Sequence, residues 1–132
     1  RGARLTGAPW MALMAERMEE RGADRTVARE MYRRMYEQAS DPLVKRWAVG
    51  RLVYLRWLDE QDAVRRVLAE HRGRAGACPA GWAAVALALQ AAGLRTAPDG
   101  SPVDPTGVPY VLVHDGAACD VALGPGSEVP AS

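Results

Sequence analysis

Two histidines, His71 and His114, and two cysteines, Cys78 and Cys119, have the widest chemical repertoire in this 132-residue chain. A histidine can shuttle protons or ligate a metal at neutral pH. His71, however, falls near a helix end, where a solvated or dipole-stabilised role fits. His114 lies beside a turn next to Asp115, and neighbours in a turn rarely converge on one metal or substrate. The cysteine spacing matches neither a metal motif nor a Cys-x-x-Cys redox pair. It reads either as two buried or half-exposed thiols or as one structural disulfide of an exported protein. A bridge is the hypothesis to test, and it needs Cα atoms within roughly 7 Å. Ser40 and Ser101 sit at cap or turn positions and Ser127 in the tail, none with a base nearby in sequence. Glu19-Glu20, Asp59-Glu60, and Glu30 with Arg34, are ordinary helix-surface patterns. Gly93, Gly100 and Gly107 follow no phosphate-loop or dinucleotide spacing. The residues therefore predict a protein that is not an enzyme, with no catalytic, cofactor-binding or metal site.

Composition narrows the partners. Seventeen basic residues face sixteen acidic ones, for a formal net charge of +1. That balance gives no general pull toward nucleic acid or an anionic membrane. Arg33-Arg34 and Arg65-Arg66 sit inside amphipathic patterns and read as solvated helix faces. The chain is 48% hydrophobic, enough for one ordinary core, with four Trp, four Tyr and no Phe. Its bias toward Ala, Arg, Leu and Val fits a high-GC bacterial coding sequence. No apolar run reaches the roughly 18 residues of a membrane span; the longest, residues 83–92, is too short. The first residue is not Met and nothing there resembles a signal peptide, so a fragment or processed form is expected, and an anchor could lie upstream.

The elements that would position these residues are mostly helical. Residues 1–8 lack periodicity and read as a flexible lead-in. Pro9 opens a helix whose stripe is Trp10, Met11, Leu13, Met14 and Met18, stopping at Gly22. Asp24 caps a second helix with Val27, Ala28, Met31, Tyr32, Met35, Tyr36 and Ala39 on its apolar face, and Arg25, Arg29, Arg33, Arg34 and Glu37 opposite. Asp41-Pro42 starts a third, apolar on more than one side from Leu43 to Leu58. The pattern resets at Asp59-Glu60, and a fourth helix carries Ala63, Val64, Val67, Leu68 and His71; whether the third and fourth are one rod or two stays open. Cys78-Pro79 opens a fifth, with Trp82, Val85, Ala86 and Leu89, ended by Gly93. Residues 95–109 form an ordered loop. Tyr110–Val113 and Cys119–Leu123 read as strands joined by a turn over residues 114–117. An isolated hairpin is marginal in water, so this one must pack on a helix. The tail, 125–132, is expected to fray.

Two stretches resemble known families. Residues 22–32, with Ala28 small and Tyr32 aromatic four residues on, followed by Asp41-Pro42, resemble the second half of a tetratricopeptide (TPR) repeat. Ala would let a neighbouring helix approach, and Tyr would fill the groove beside it. The first helix departs: Met14, Ala15, Glu16 and Glu19 stand where the repeat has its Trp, Leu-Gly and Tyr. Residues 74–79, Trp82, and then Val103-Asp104-Pro105-Thr106-Gly107-Val108-Pro109-Tyr110, resemble the globular part of type II secretion pseudopilins. In that turn Asp104 can bond the backbone two residues on, Pro105 fixes φ and Gly107 supplies φ > 0, with Pro109 and Tyr110 leading into the hairpin. The hydrophobic pilin helix and the acidic calcium loop of those proteins have no counterpart; only residues 124–128 stand at the latter's place.

The expected fold is mainly α: TPR-like antiparallel helix hairpins over residues 9–75, then a pseudopilin-like short helix and β-hairpin over 76–124. The resemblance implies a non-enzymatic interaction scaffold or accessory subunit of a larger bacterial complex, and envelope association. Its partners would be other proteins of that complex, not nucleic acid, with membrane contact only through a missing N-terminal segment or a partner. The alternative is a minor pseudopilin-like component of a secretion or pilus assembly. Trp10, Tyr32, Tyr36, Trp47 and Trp57 are expected to pack, with any exposed ones anchoring an interface. The Met stripe (Met11, Met14, Met18, Met31, Met35) reads as core before it reads as a binding groove.

Overall fold

In the computed structural model, residues 25–130 are described; the lead-in, the expected first helix with Trp10, Met11, Met14 and Met18, and the Asp24 cap lie outside them. The chain parts into two compact units, one running to Arg56 with the carboxy-terminal residues from Pro130, the other Trp57–Val129. This division falls inside a helix rather than at the 75/76 boundary expected above.

Helix α1 spans Arg25–Gln38 and buries Arg25, Ala28, Tyr32 and Met35. Those positions are three and four apart and form one stripe. Two expectations change. Arg25, assigned to the solvent face, lies one turn before Ala28 on the same stripe and is buried, whereas Val27 and Tyr36 at the stripe's margins are 45% and 41% exposed. After Gln38 the chain restarts at Asp41, whose Oδ1 accepts the amide N–H of Leu43 at 2.9 Å. This is the expected N-cap with Pro42 in the first turn.

Helix α2 runs unbroken through Pro42–Ala75, 34 residues. The third and fourth helices are thus a single rod, and the antiparallel pair they would have formed is not present. The physical reason is local: between Gly50 and Gly73 there is no Gly or Pro, and the charged run at Asp59-Glu60 changes the apolar pattern without removing a backbone hydrogen bond. Gly76, at φ 79°, ends the rod with its N–H bonded to the Arg72 carbonyl at 2.8 Å. Ala48, Arg51 and Leu55 are buried in the first unit; Trp57, Val64 and Leu68 are buried in the second.

In the second unit a 3-10 turn at Trp82–Val85 leads into the short α3, Ala86–Ala91. The helix thus starts later than Cys78-Pro79 suggests, after the extended Gly81. Gly93 ends it at φ 89°, as expected. Strands β1 (Val111–Asp115) and β2 (Ala118–Ala122) pair antiparallel with His114 opposite Cys119. His114 and Asp115 therefore belong to a strand, not to a four-residue turn. The loop is Gly116-Ala117 alone, with Gly116 at φ 63°, the sign that tight hairpin turns require. Trp82, Val85, Leu89, Leu94, Tyr110, Val121 and Val129 complete this unit's core. Burial of Val129 overturns the expected frayed tail up to that residue; residues 131–132 lie outside the described part. The described chain is mainly helical, with one two-stranded hairpin.

Candidate functional site

The loop that the sequence marked for its turn chemistry is the polar centre of the second unit. Asp104 is fully buried. Its Oδ1 accepts the Thr106 amide (2.7 Å), the Thr106 hydroxyl (2.7 Å) and the Val108 amide (3.1 Å). The Ser127 hydroxyl donates to Oδ2. The Asp104 carbonyl accepts Arg95 Nη2 at 2.8 Å and the Gly107 amide at 2.9 Å. Burial alone would push this carboxyl up, but donation from Ser127, Thr106 and Val108 holds it below its ordinary value. Gly107 adopts φ 90°, so Asp104, Pro105 and Gly107 play the roles their types suggest.

Pro109 and Tyr110 carry the loop into β1. The Tyr110 hydroxyl donates to Glu60 Oε1 at 2.6 Å, and its ring lies 5.4 Å from that of Trp57. Trp82 Nε1 donates to the Tyr110 carbonyl at 3.1 Å. Gly124 passes so close that a Cβ there would overlap the Pro109 carbonyl oxygen.

Cys78 and Cys119 form a disulfide, with Cα atoms 5.9 Å apart. His114, across the ladder from Cys119, has its Nε2 3.1 Å from the Pro79 carbonyl, a contact in which the ring N–H donates. Both links tie the segment after α2 to the hairpin. A third runs from Arg65, which donates to both Asp120 oxygens at 2.8 and 3.1 Å. The Arg65 hydrogen bond holds the Asp120 carboxyl below its ordinary value. In this unit Asp104, Asp120, Glu60, His114 and the cysteines are thus joined to neighbours as cross-links. Among the described residues no three His, Cys, Asp or Glu side chains group as a metal site.

Of the other candidates, Ser101 is buried and Ser40 exposed. The Ser127 hydroxyl meets the carboxylate of Asp104, and the Ser101 hydroxyl that of Asp99. Nothing in the sequence signalled the pairs Asp104–Ser127, Glu60–Tyr110 and Arg65–Asp120, which join residues 23, 50 and 55 positions apart.

In the first unit, Tyr32 is fully buried with its ring edge-on to half-buried Trp47 at 5.5 Å. Tyr36 stays exposed, with Lys45 Nζ 4.3 Å from its ring centroid and donating to its carbonyl at 2.8 Å. Trp57 is buried in the second unit, so among the described aromatic anchors Tyr36 is the exposed one, Trp10 lying outside the described residues. The face of α1 away from its buried stripe carries Val27, Arg29, Glu30, Met31, Arg33 and Arg34.

No protein-family model, curated protein or solved structure matches the chain. The likenesses to a TPR repeat and a pseudopilin loop therefore rest on the residues quoted for them. Charge separates the units. Residues 25–56 carry eight basic side chains against three acidic ones, while residues 57–129 carry five against nine. No helix among the described residues is long and apolar enough to cross a membrane.

Proposed function

We propose that this chain is a non-enzymatic protein–protein interaction scaffold, an accessory subunit of a larger bacterial complex associated with the cell envelope. The observation that carries this reading is where large apolar side chains are left in solvent. Val27, Tyr36, Leu43 and Val49, exposed by between 41% and 64%, lie on residues 25–56 amid the excess of basic groups, while Leu87 and Val111 are the exposed ones on residues 57–129. Interfaces favour such mixtures of apolar, aromatic and Arg side chains. Asp104, Asp120, Glu60 and His114 of the second unit serve as cross-links, which fits a supporting module better than a reactive one. A TPR-like origin for α1 is supported by buried Ala28 and Tyr32 in the small and aromatic positions. Membrane contact, on this reading, comes through a partner or an upstream segment.

A second reading, a minor pseudopilin-like component of a secretion or pilus assembly, is favoured by the Asp104–Tyr110 loop feeding directly into a hairpin. One experiment separates the two. The tagged chain and a Leu43→Glu/Val49→Glu variant are purified from the native source, and bound proteins are identified by mass spectrometry. The scaffold reading expects a defined partner set at near-stoichiometric amounts that the variant loses. Recovery of pilin-like subunits supports the second reading. Recovery of no stoichiometric partner by either chain refutes both.

A further inference from the structure

The outer edge of β1 is open, and we propose that it takes up an extended segment of a partner protein that carries a basic side chain opposite Asp115. The inference deepens the scaffold reading and rests on it. Among the described residues the sheet consists of β1 and β2 alone. Their two-residue loop makes Asp115 and Ala118 a hydrogen-bonded pair. By alternation, the backbone N–H and C=O of Leu112 and His114 then point away from β2. The preceding outward position has the same phase: the Tyr110 amide donates to the Pro102 carbonyl at 2.9 Å, and Val103 bridges Pro109. Pro102 and Val103 thus lie along the start of this edge. Beyond them the backbone groups of Leu112 and His114 that face outward carry no hydrogen bond among the described residues.

The opposite edge is partly closed, because the outward-facing Val121 of β2 gives its amide to the Asp120 carboxylate at 2.8 Å. Strand β1 (Val-Leu-Val-His-Asp) has no Lys, Pro or bulge, the devices that discourage edge pairing. Its side chains alternate, so Val111, Val113 and Asp115 share the face away from buried Val121, with Val111 41% exposed. Asp115 is exposed and makes no ion pair, whereas Asp120, across from Val113, is already answered by Arg65. A strand laid antiparallel on this edge would bond through two residues, those opposite Leu112 and His114. Between and beside them it would set a basic side chain against Asp115 and β-branched apolar ones against Val113 and Val111. Backbone bonds give such an added strand its affinity, and the alternate side chains give it selectivity. A second copy is less complementary. Pairing Leu112 of each copy with His114 of the other sets Asp115 against Val111 and leaves the carboxylate unanswered.

The test uses the full, isotope-labelled chain, with amide exchange followed residue by residue by NMR. The probe is a capped peptide, Lys-Thr-Val-Thr-Val, whose residues would lie opposite Asp115, His114, Val113, Leu112 and Val111 in turn. A matched peptide has Glu in place of Lys. The Lys peptide is expected to bind with a Kd on the order of 100 μM. At about ten times that concentration, exchange at Leu112 and His114 should slow about tenfold, with the Val113 amide, already bonded in the ladder, unchanged. Methylating the two Thr amides should abolish binding, whereas methylating the amide of the Val between them, which points away, should not. The Glu peptide should bind about fivefold more weakly, and Asp115→Lys should reverse that order. Because Asp115 is exposed and unpaired, the urea midpoint of D115K should match wild type and serves as the folding control. No binding of the Lys peptide, equal binding of the two peptides, or the same loss from either pattern of methylation overturns the proposal. So does protection at Cys119 in place of Leu112 and His114. Protection of Leu112 and His114 that rises with chain concentration alone assigns the edge to a second copy instead. If partners co-purify from the native source while the peptide test fails, the scaffold reading stands and this edge is not its docking site.

Discussion

Residues 25–56 and residues 57–129 are built by different means. In the first, two helical segments bury Ala28, Tyr32, Met35, Ala48 and Leu55, with exposed polar contacts such as that of Lys45 with Tyr36. In the second, the latter part of α2 is joined by a short helix, loops and a two-stranded hairpin that have little regular backbone bonding of their own. They are held by a disulfide, a buried carboxylate, a tyrosine hydroxyl and an ion pair, each joining residues far apart in sequence. A two-stranded hairpin needs such support. The contrast teaches where change is tolerated: the first unit can vary its surface freely as long as its stripe is kept, whereas single polar or thiol changes reach deep into the second.

The largest effect tests that contrast directly. Reducing the Cys78–Cys119 bridge, or replacing both residues with Ser, releases a link spanning 41 positions. The chain-entropy treatment puts the loss at about 4 kcal/mol. Urea unfolding measures it, and hydrogen exchange should show protection lost at β1 and β2 before α1; equal loss in α1 would break the distinction between the units. On the other side, Tyr32→Ala removes a fully buried ring and its edge contact with Trp47. It should cost about 3–4 kcal/mol, read as a lower urea midpoint, with the hairpin amides least affected.

Asp104→Ala leaves the amides of Thr106 and Val108 and the Ser127 hydroxyl without their acceptor, and should cost about 3 kcal/mol. It also predicts a pH signature. The folded carboxyl lies below its ordinary value of 3.8, so its contribution is complete above that pH and is lost as the pH falls through the folded value. Stability measured by urea titration from pH 6 downward should fall in the acid range, and fall less steeply in the Asp104→Ala protein. An unchanged acid limb would mean the carboxylate is not the anchor of this loop. Next in size, Gly124→Ala forces a methyl group against the Pro109 carbonyl and should cost about 2 kcal/mol by thermal melting.

Much of this was legible in local sequence. Asp41-Pro42 announced a helix start, Gly93 a stop and Asp104-Pro105-Thr106-Gly107 a turn, because cap and turn chemistry acts within a few residues. The continuity of α2 was not legible, because its apolar pattern changes at Asp59-Glu60 as the helix passes from one compact unit to the other. A change of buried face looks the same in sequence as a new helix. Arg25 misled for a related reason: its charge suggested solvent, while its position on the Ala28–Tyr32–Met35 stripe decided. The packed tail was hidden because its anchor, Ser127 on Asp104, depends on a fold that brings together residues 23 positions apart.

The smallest expected effect sharpens the comparison most, because it asks which of the second unit's long-range links matter. Arg65 holds Asp120 through two hydrogen bonds, at 2.8 and 3.1 Å. That geometry is the favourable paired one, but both side chains are nearly half exposed, at 48% and 43%. Solvent screens the attraction, and ordering two side chains offsets part of it, so Arg65→Ala should cost only about 0.5–1 kcal/mol. Salt should shrink the difference between wild type and variant further. A double-mutant cycle with Asp120→Ala, read by urea unfolding at low and high salt, isolates the pair. A coupling well above 1 kcal/mol would place this link beside Asp104 as an anchor of the hairpin. A coupling near zero would leave the hairpin to the disulfide, the Tyr110–Glu60 bond and the apolar side of Val121.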